Sequence, residues 1–202
     1  MRPLFAVLRI AAAVISLAAV AATFFDTAAR TAINPFNFFG FFTVQSNIFT
    51  AIVLLAVGVV GISHRKRSAG LNLAFAAATT YIVVVGMVYN TLLVGQAGGI
   101  DVPWANTVLH VIVPIYVAVD WLLFGDRRQI PFTRVWIILI YPVVWLLVVL
   151  LRGATDGWVP YPFLAPATGY GSVAVYCVII AAVIAAVGLL VLWYSRVRVL
   201  KP

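Results

Sequence analysis

Residues 170–194 read YGSVAVYCVIIAAVIAAVGLLVLWY, an unbroken run without a single charge. A helix needs about 20 mostly apolar residues to cross the hydrocarbon core of a bilayer, so this run reads as a membrane span. Working back along the chain, five more segments meet the same criterion, at about 4–25, 39–62, 71–94, 104–124 and 134–151. The connections between them are too short for a soluble domain. The fold class is therefore all-α, a polytopic membrane protein with one six-transmembrane-helix domain spanning residues 1–202. Composition agrees, with 65% hydrophobic residues, 9% charged residues and a mean hydropathy of +1.14. A soluble domain carries about 25% charged residues. The single cysteine, Cys177, excludes an intramolecular disulfide.

Charge gives an orientation. With six spans, Arg2, Arg9, Arg65, Lys66, Arg67, Arg127, Arg128, Arg134, Arg196, Arg198 and Lys201 fall at one end, and only Arg30 and Arg152 at the other. Asp26, Asp101 and Asp156 share the second end. Basic residues mark the cytoplasmic side, which predicts that both termini are cytoplasmic. A rival reading takes the first apolar run, with Ala19-Val20-Ala21, as a signal peptide and leaves five spans. The run continues through Phe25, longer than a usual signal core. The basic residues do not alternate with aromatics as in a single-strand binder, so no nucleic-acid partner is expected. Arginine far outnumbers lysine, which suits a GC-rich bacterial genome and hence a bacterial plasma membrane.

Polar residues inside spans need a reason, because lipid does not solvate them. Thr43, Ser46, Asn47 and Thr50 recur at i, i+3, i+4 and i+7, one stripe of a helix, with Gln45 off the stripe. The fourth span holds His110, with Asn106 and Thr107 one turn before it and Pro114 one turn after. A neutral imidazole suits general-base chemistry near neutral pH. Thr43 and His110 both lie roughly 5–10 Å into their spans from the same end, at 1.5 Å per residue. Tyr89 and Asn90 of the third span, and Tyr170, Ser172 and Tyr176 of the sixth, reach a similar height. These polar groups mark either a site or helix-to-helix hydrogen bonding, which Ser, Thr and Asn also supply.

Asp120 lies about 15 Å along the helix from His110 and about 80° around it, so it cannot orient that imidazole. An ion pair or helix-end anchor near Arg127, Arg128 and Arg134 is expected for it. Cys177 reads as small apolar packing, and His64 as a solvated loop residue. Two loops, 26–38 and 152–169, are rich in aromatics and proline, and read as interfacial anchors or as a lid. The chain has no Gly-x-Ser-x-Gly, P-loop, Gly-x-Gly-x-x-Gly or His-Glu-x-x-His. With no glutamate, one cysteine and two separated histidines, no metal site and no cofactor are expected. The scarcity of buried acids argues against an ordinary cation-coupled transporter.

Three phrases, Phe42-Thr43-Val44-Gln45-Ser46-Asn47, Leu109-His110-Val111-Ile112-Val113-Pro114 with Asp120-Trp121, and Tyr161-Pro162-Phe163-Leu164, resemble a bacterial family of six-transmembrane proteins. That family is similar to the androgen-induced membrane hydrolases of animals, which cleave fatty-acid esters of hydroxy fatty acids with an intramembrane threonine and histidine. The resemblance covers most of the chain. It implies that Thr43 is the nucleophile and His110 its base, acting on a lipid or fatty-acyl ester. Asn47 is a candidate oxyanion donor on its own position, one turn below Thr43. Ser46, Tyr89, Asn90 and Asn106 are further candidates for substrate contact. The rival readings are a lipid-binding or small-molecule transport protein using the same pocket, and a structural membrane protein. The sequence names no protein partner.

Overall fold

A computed structural model describes residues 2–63, 65–95 and 102–200. His64, Asp101 and Lys201 lie outside the described residues. Six helices are long and apolar enough to cross a membrane: α1 (Pro3–Arg30), α2 (Phe42–Ile62), α3 (Ala69–Leu93), α4 (Pro103–Leu123), α5 (Phe132–Thr155) and α6 (Tyr170–Tyr194). Among the described residues no strand forms, and the only bridge pairs Phe124 with Leu200. The chain is thus an all-α integral membrane protein. One end of the bundle carries the arginine-rich connections and is called the basic end. The other carries the loops at 31–41 and 156–169 and is called the aromatic end.

The helix ends differ from the hydropathy reading for local reasons. α1 continues to Arg30 rather than stopping near Phe25, and in this stretch the Thr23 and Thr27 hydroxyls donate to carbonyls four residues back, at 2.8 Å each. Asp26 and Arg30 add an i,i+4 ion pair at 2.7 Å. α2 starts at Phe42 rather than Phe39. A separate short helix, Pro35–Phe38, precedes it, capped by Asn34 Oδ1 accepting the Phe36 N–H. Ser68 caps α3 by accepting from the Leu71 N–H.

α1 lies along α2 with small residues between them. An added Cβ on Gly58 would stand 2.8 Å from Ile10 and 3.0 Å from the Ala6 carbonyl. Without a hydrophobic drive between helices in lipid, such close backbone approach supplies packing. α3 is the central helix, with 61% of its most apolar window buried against 17% for α5 and 22% for α6. The outward faces of α5 and α6 expose Val144, Leu147, Leu151, Val175, Val178 and Leu190, an apolar belt suited to lipid.

Two prolines show how α3 organises its neighbours. A proline inside a helix removes the donor to the carbonyl four residues earlier. In α5, Pro142 frees the Ile138 carbonyl, and the buried Tyr81 hydroxyl of α3 donates to it at 2.6 Å. In α4, Pro114 frees the His110 carbonyl, and Asn90 of α3 donates to it at 3.1 Å. Both α3 and α4 widen into π-helical turns beside this contact, at Tyr89–Leu93 and Val108–Ile112. Gly86 lets α4 approach here, since a Cβ on it would stand 2.8 Å from Pro114.

At the basic end, Asp120 does make an ion pair, but with α1 rather than with the following loop. Arg9 Nε donates to Asp120 at 2.9 Å, and its Nη1 to Asp126 at 2.7 Å. Arg67 also pairs with Asp126. Arg127 turns instead to the end of α6, donating to the Tyr194 and Val197 carbonyls.

Candidate functional site

The predicted stripe of α2 is buried throughout: Thr43, Ser46, Asn47 and Thr50 are at most 8% exposed. Its members face different neighbours. Ser46 lies beside the Tyr141 phenol of α5. Asn47 points between α1 and α4, accepting from the Ser16 hydroxyl at 3.2 Å. Its amide donates to the Thr43 carbonyl at 2.9 Å and to the Leu109 carbonyl at 3.4 Å. With both amide directions engaged by backbone, Asn47 acts here as a joint between helices rather than as a free oxyanion donor.

Thr43 sits in the first turn of α2, where backbone N–H groups lack intrahelical partners. Tyr161, from the loop at 156–169, fills that vacancy. Its hydroxyl oxygen accepts the Thr43 N–H at 3.2 Å and lies 3.3 Å from Thr43 Oγ1. Burial pushes the Tyr161 phenol above its ordinary range, so it remains a neutral hydroxyl that both accepts and donates.

Thr43 and Tyr161 stand at the head of a cavity between α3, α5 and α6. Its walls are Val84, Val85 and Val88 of α3, Leu139, Val143 and Leu146 of α5, and Cys177, Ile180 and Ile184 of α6. Phe163 and Leu164 of the loop close over it. The cavity volume is about 90 Å³, within about 730 Å³ of empty space that includes its open mouth. Cys177 to Ile184 spans seven residues, about 10 Å along a helix, so the cavity runs well into the apolar interior. Cys177 is part of that wall, in keeping with a packing role.

The aromatic loops build the rim. Gln45 bridges from the Phe39 carbonyl, to which it donates, to the Tyr141 hydroxyl, from which it accepts. Trp145 Nε1 donates to the Gly40 carbonyl at 2.9 Å. The loop at 156–169 is tied down by Arg152, which donates to Asn37 and Asp156 and lies 4.2 Å from the Trp158 ring centroid. Gly40 leaves room for Trp158, whose ring would stand 2.5 Å from an added Cβ. The loop thus lines the cavity with Tyr161, Phe163 and Leu164.

His110 belongs to a second cluster. Its ring stacks on Tyr89, centroids 3.7 Å apart. Its Nδ1 lies 3.1 Å from the Asn106 carbonyl. A carbonyl only accepts, so Nδ1 carries the proton and Nε2 keeps its lone pair. The Asn106 amide donates to the Tyr89 hydroxyl. His110, Tyr89, Asn90 and Asn106 thus come together, as their matched heights imply. Thr43 stands apart from them. No hydrogen bond joins Thr43 to His110, and His110 does not line the cavity. Asn47 links the two clusters by hydrogen bonds, reaching from the Thr43 carbonyl to the carbonyl preceding His110. Of the α6 residues expected at this height, Tyr170 and Ser172 are exposed, while Tyr176 is half-buried with its ring 5.5 Å from that of Phe163.

Sequence reasoning did not find Tyr161 as the partner of Thr43, or Ser16 as the partner of Asn47. The Tyr161 loop was conspicuous for its aromatics and prolines, but a contact between residues 118 apart has no local signal. Among the described residues no group of His, Cys or Asp is placed to hold a metal ion. No protein-family model, curated protein or solved structure matches this chain.

Proposed function

We propose that this chain is a bacterial plasma-membrane protein with both termini cytoplasmic, and that its aromatic-end cavity receives the acyl chain of a lipid ester for hydrolysis. The observation that carries this reading is the placement of the Thr43 hydroxyl, beside that of Tyr161, at the head of an otherwise apolar cavity. An acyl chain fits the walls, and its ester meets the hydroxyls. The resemblance to the animal membrane hydrolases gives the same nucleophile. The excess of basic residues at the end bearing the termini supports the orientation.

In this reading Thr43 Oγ1 exchanges its Tyr161 contact for the ester and attacks the carbonyl carbon. Its proton passes to His110 Nε2, which then protonates the departing alkoxide. Water cleaves the acyl-threonine, giving the free acid. The Asn106 carbonyl is the group that fixes the His110 tautomer for this role. Catalytic hydrogen bonds often close only when substrate is bound.

A second reading is favoured by the missing Thr43–His110 hydrogen bond: the cavity holds a lipid chain without cleaving it. Fluorophosphonate labelling of the protein in nanodiscs, with peptide mapping, separates the two. Hydrolysis predicts one adduct on Thr43, lost in folded Thr43→Ala and His110→Ala. Labelling of neither residue, together with saturable fatty-acid binding that survives both substitutions, would replace the enzyme with the binding protein.

A further inference from the structure

The basic end carries a second cavity, remote from Thr43, that holds about 1050 Å³ of empty space including its mouth. Its rim is made by Arg9, Arg65, Lys66, Arg67 and Arg128, with Asp126 as the one carboxylate. Val57, Val60 and Gly61 of α2 and Phe124 form the rest of the wall. The charges are unevenly satisfied. Arg9 is held by Asp120 and Asp126, and Arg67 shares Asp126 with it. Arg65, Lys66 and Arg128 form no ion pair with any described acid. The Arg67 side chain is buried, its Nη2 on Asp126, while its Nη1 is buried without a hydrogen-bond partner. A buried, unpartnered guanidinium nitrogen is costly in a folded protein.

We propose that this cavity is a binding site for a phosphate-bearing anion, engaged by Arg65, Lys66, Arg67 and Arg128. Arginine forks and a lysine ammonium suit phosphate oxygens, and basic pockets between transmembrane helices are known to take anionic headgroups. The surroundings of Arg67 bear this out. Its guanidinium is pushed down to about 10, first by burial and further by Arg9 and Arg127, against the opposing pull of Asp126 and Asp120. An anion at the rim relieves that deficit. The apolar wall from Val57 to Gly61 continues the cavity along α2, where the glycerol and first methylenes of a phospholipid would lie. The same phosphate chemistry is offered by free inorganic phosphate, and the experiment separates the two sources.

The full-length protein, in neutral detergent, is titrated with phosphatidylglycerol or phosphatidylcholine and bound lipid is counted by native mass spectrometry. Thermal shift with inorganic phosphate against chloride at equal ionic strength forms a parallel arm. The variant Arg65→Gln/Lys66→Gln/Arg128→Gln removes exposed rim charges. The control Arg134→Gln/Arg196→Gln/Arg198→Gln removes as many charges from the same end, outside the cavity. Phosphatidylglycerol bound in preference to phosphatidylcholine, weakened about a hundredfold in the rim variant as three surface cations predict and little in the control, supports a headgroup site. A phosphate-induced stabilisation lost only in the rim variant, without a lipid preference, supports the site with free phosphate as its occupant. Equal weakening in both triple variants, or no response to either phosphate source, overturns it. If the rim variant loses its cooperative melt, Lys66→Gln and Arg128→Gln are scored singly by the same criteria.

Discussion

The two ends of the bundle are fastened by different physics. At the basic end, Arg9 of α1 reaches α4 and the following loop through two carboxylates, inside a cage of the Phe75 and Phe124 rings. At the aromatic end, hydroxyls, amides and rings join α2, α5 and the loop at 156–169 around the cavity, with charge confined to the partly exposed Arg152–Asp156 pair at the rim. Charge pairs are selective, since each buried ion demands its partner. Aromatic and hydroxyl contacts are individually weak and exchangeable. The first arrangement suits a fixed joint, and the second suits a loop that can exchange its contacts.

The sharpest way to break that comparison is at Arg9. Arg9→Met leaves the 2% exposed Asp120 carboxylate without its ion-pair partner. Losing one partner of a buried pair costs roughly 3–5 kcal/mol, so a large fall in melting temperature in detergent is expected. Arg9→Met with Asp120→Leu removes both charges and should recover a substantial part of that loss, because Asp126 still holds Arg67. If the double variant is no better than the single one, the joint is held by shape and not by charge.

The proline sites sit between the two regimes. Tyr81→Phe withdraws the hydroxyl from the Ile138 carbonyl and keeps the ring. Asn90→Leu withdraws the amide from the His110 carbonyl. A buried carbonyl left unsatisfied costs roughly 1–3 kcal/mol, and thermal melts should show Tyr81→Phe as the more costly because its bond is shorter and more deeply buried. Equal melting temperatures for wild type and both variants would mean that these carbonyls find other donors.

How far the sequence foretold this comparison depends on range. The six spans were legible because hydropathy over about 20 residues is a local sum. The helix ends were less so, since the last turn of α1 carries the Asp26–Arg30 pair, which hydropathy counts against a span. The burial of the Thr43 stripe followed from its spacing, but not which helix each member would face. Pro114 announced a freed carbonyl four residues back, yet nothing local named Asn90 as its donor. Asp120 was recognisable as an ion-pair member, while its partner Arg9, 111 residues away, was counted only as a charge that orients the chain. Convergence of Thr43 with His110 was an inference from height alone; no hydrogen bond joins the two, and of the pair only Thr43 lines the cavity.

At the aromatic end, Tyr161→Phe removes the hydroxyl that meets Thr43 and leaves the ring against Trp145 and Phe163. One neutral hydrogen bond is worth about 1 kcal/mol net, so the melting temperature should fall by much less than in Arg9→Met. The informative readout is fatty-acid binding, which should persist because the apolar walls are untouched. Loss of binding with an unchanged melting temperature would make the Tyr161 hydroxyl part of the ligand contact rather than a helix cap.

The smallest effect is expected at Asp156, and its sign follows from its partners. The Trp158 N–H donates to this carboxylate at 2.9 Å, and Arg152 donates to it twice. These contacts, the Trp158 bond first, hold its pKa below the ordinary 3.8. A carboxyl depressed in the folded state favours folding above its ordinary range, and that contribution is lost as pH falls through the lowered value. The loop cover should therefore keep its tether down to about pH 4 and release it below. Tryptophan fluorescence of a variant retaining Trp158 alone, with the other five tryptophans replaced by phenylalanine, should change below pH 4 and be nearly flat over the same range in Asp156→Asn. A transition centred near neutrality would assign the cover to another group. A full-size transition in Asp156→Asn would assign the titration to another carboxyl and remove Asp156 as what holds the cover. The exchangeable character of this end would then rest on packing alone.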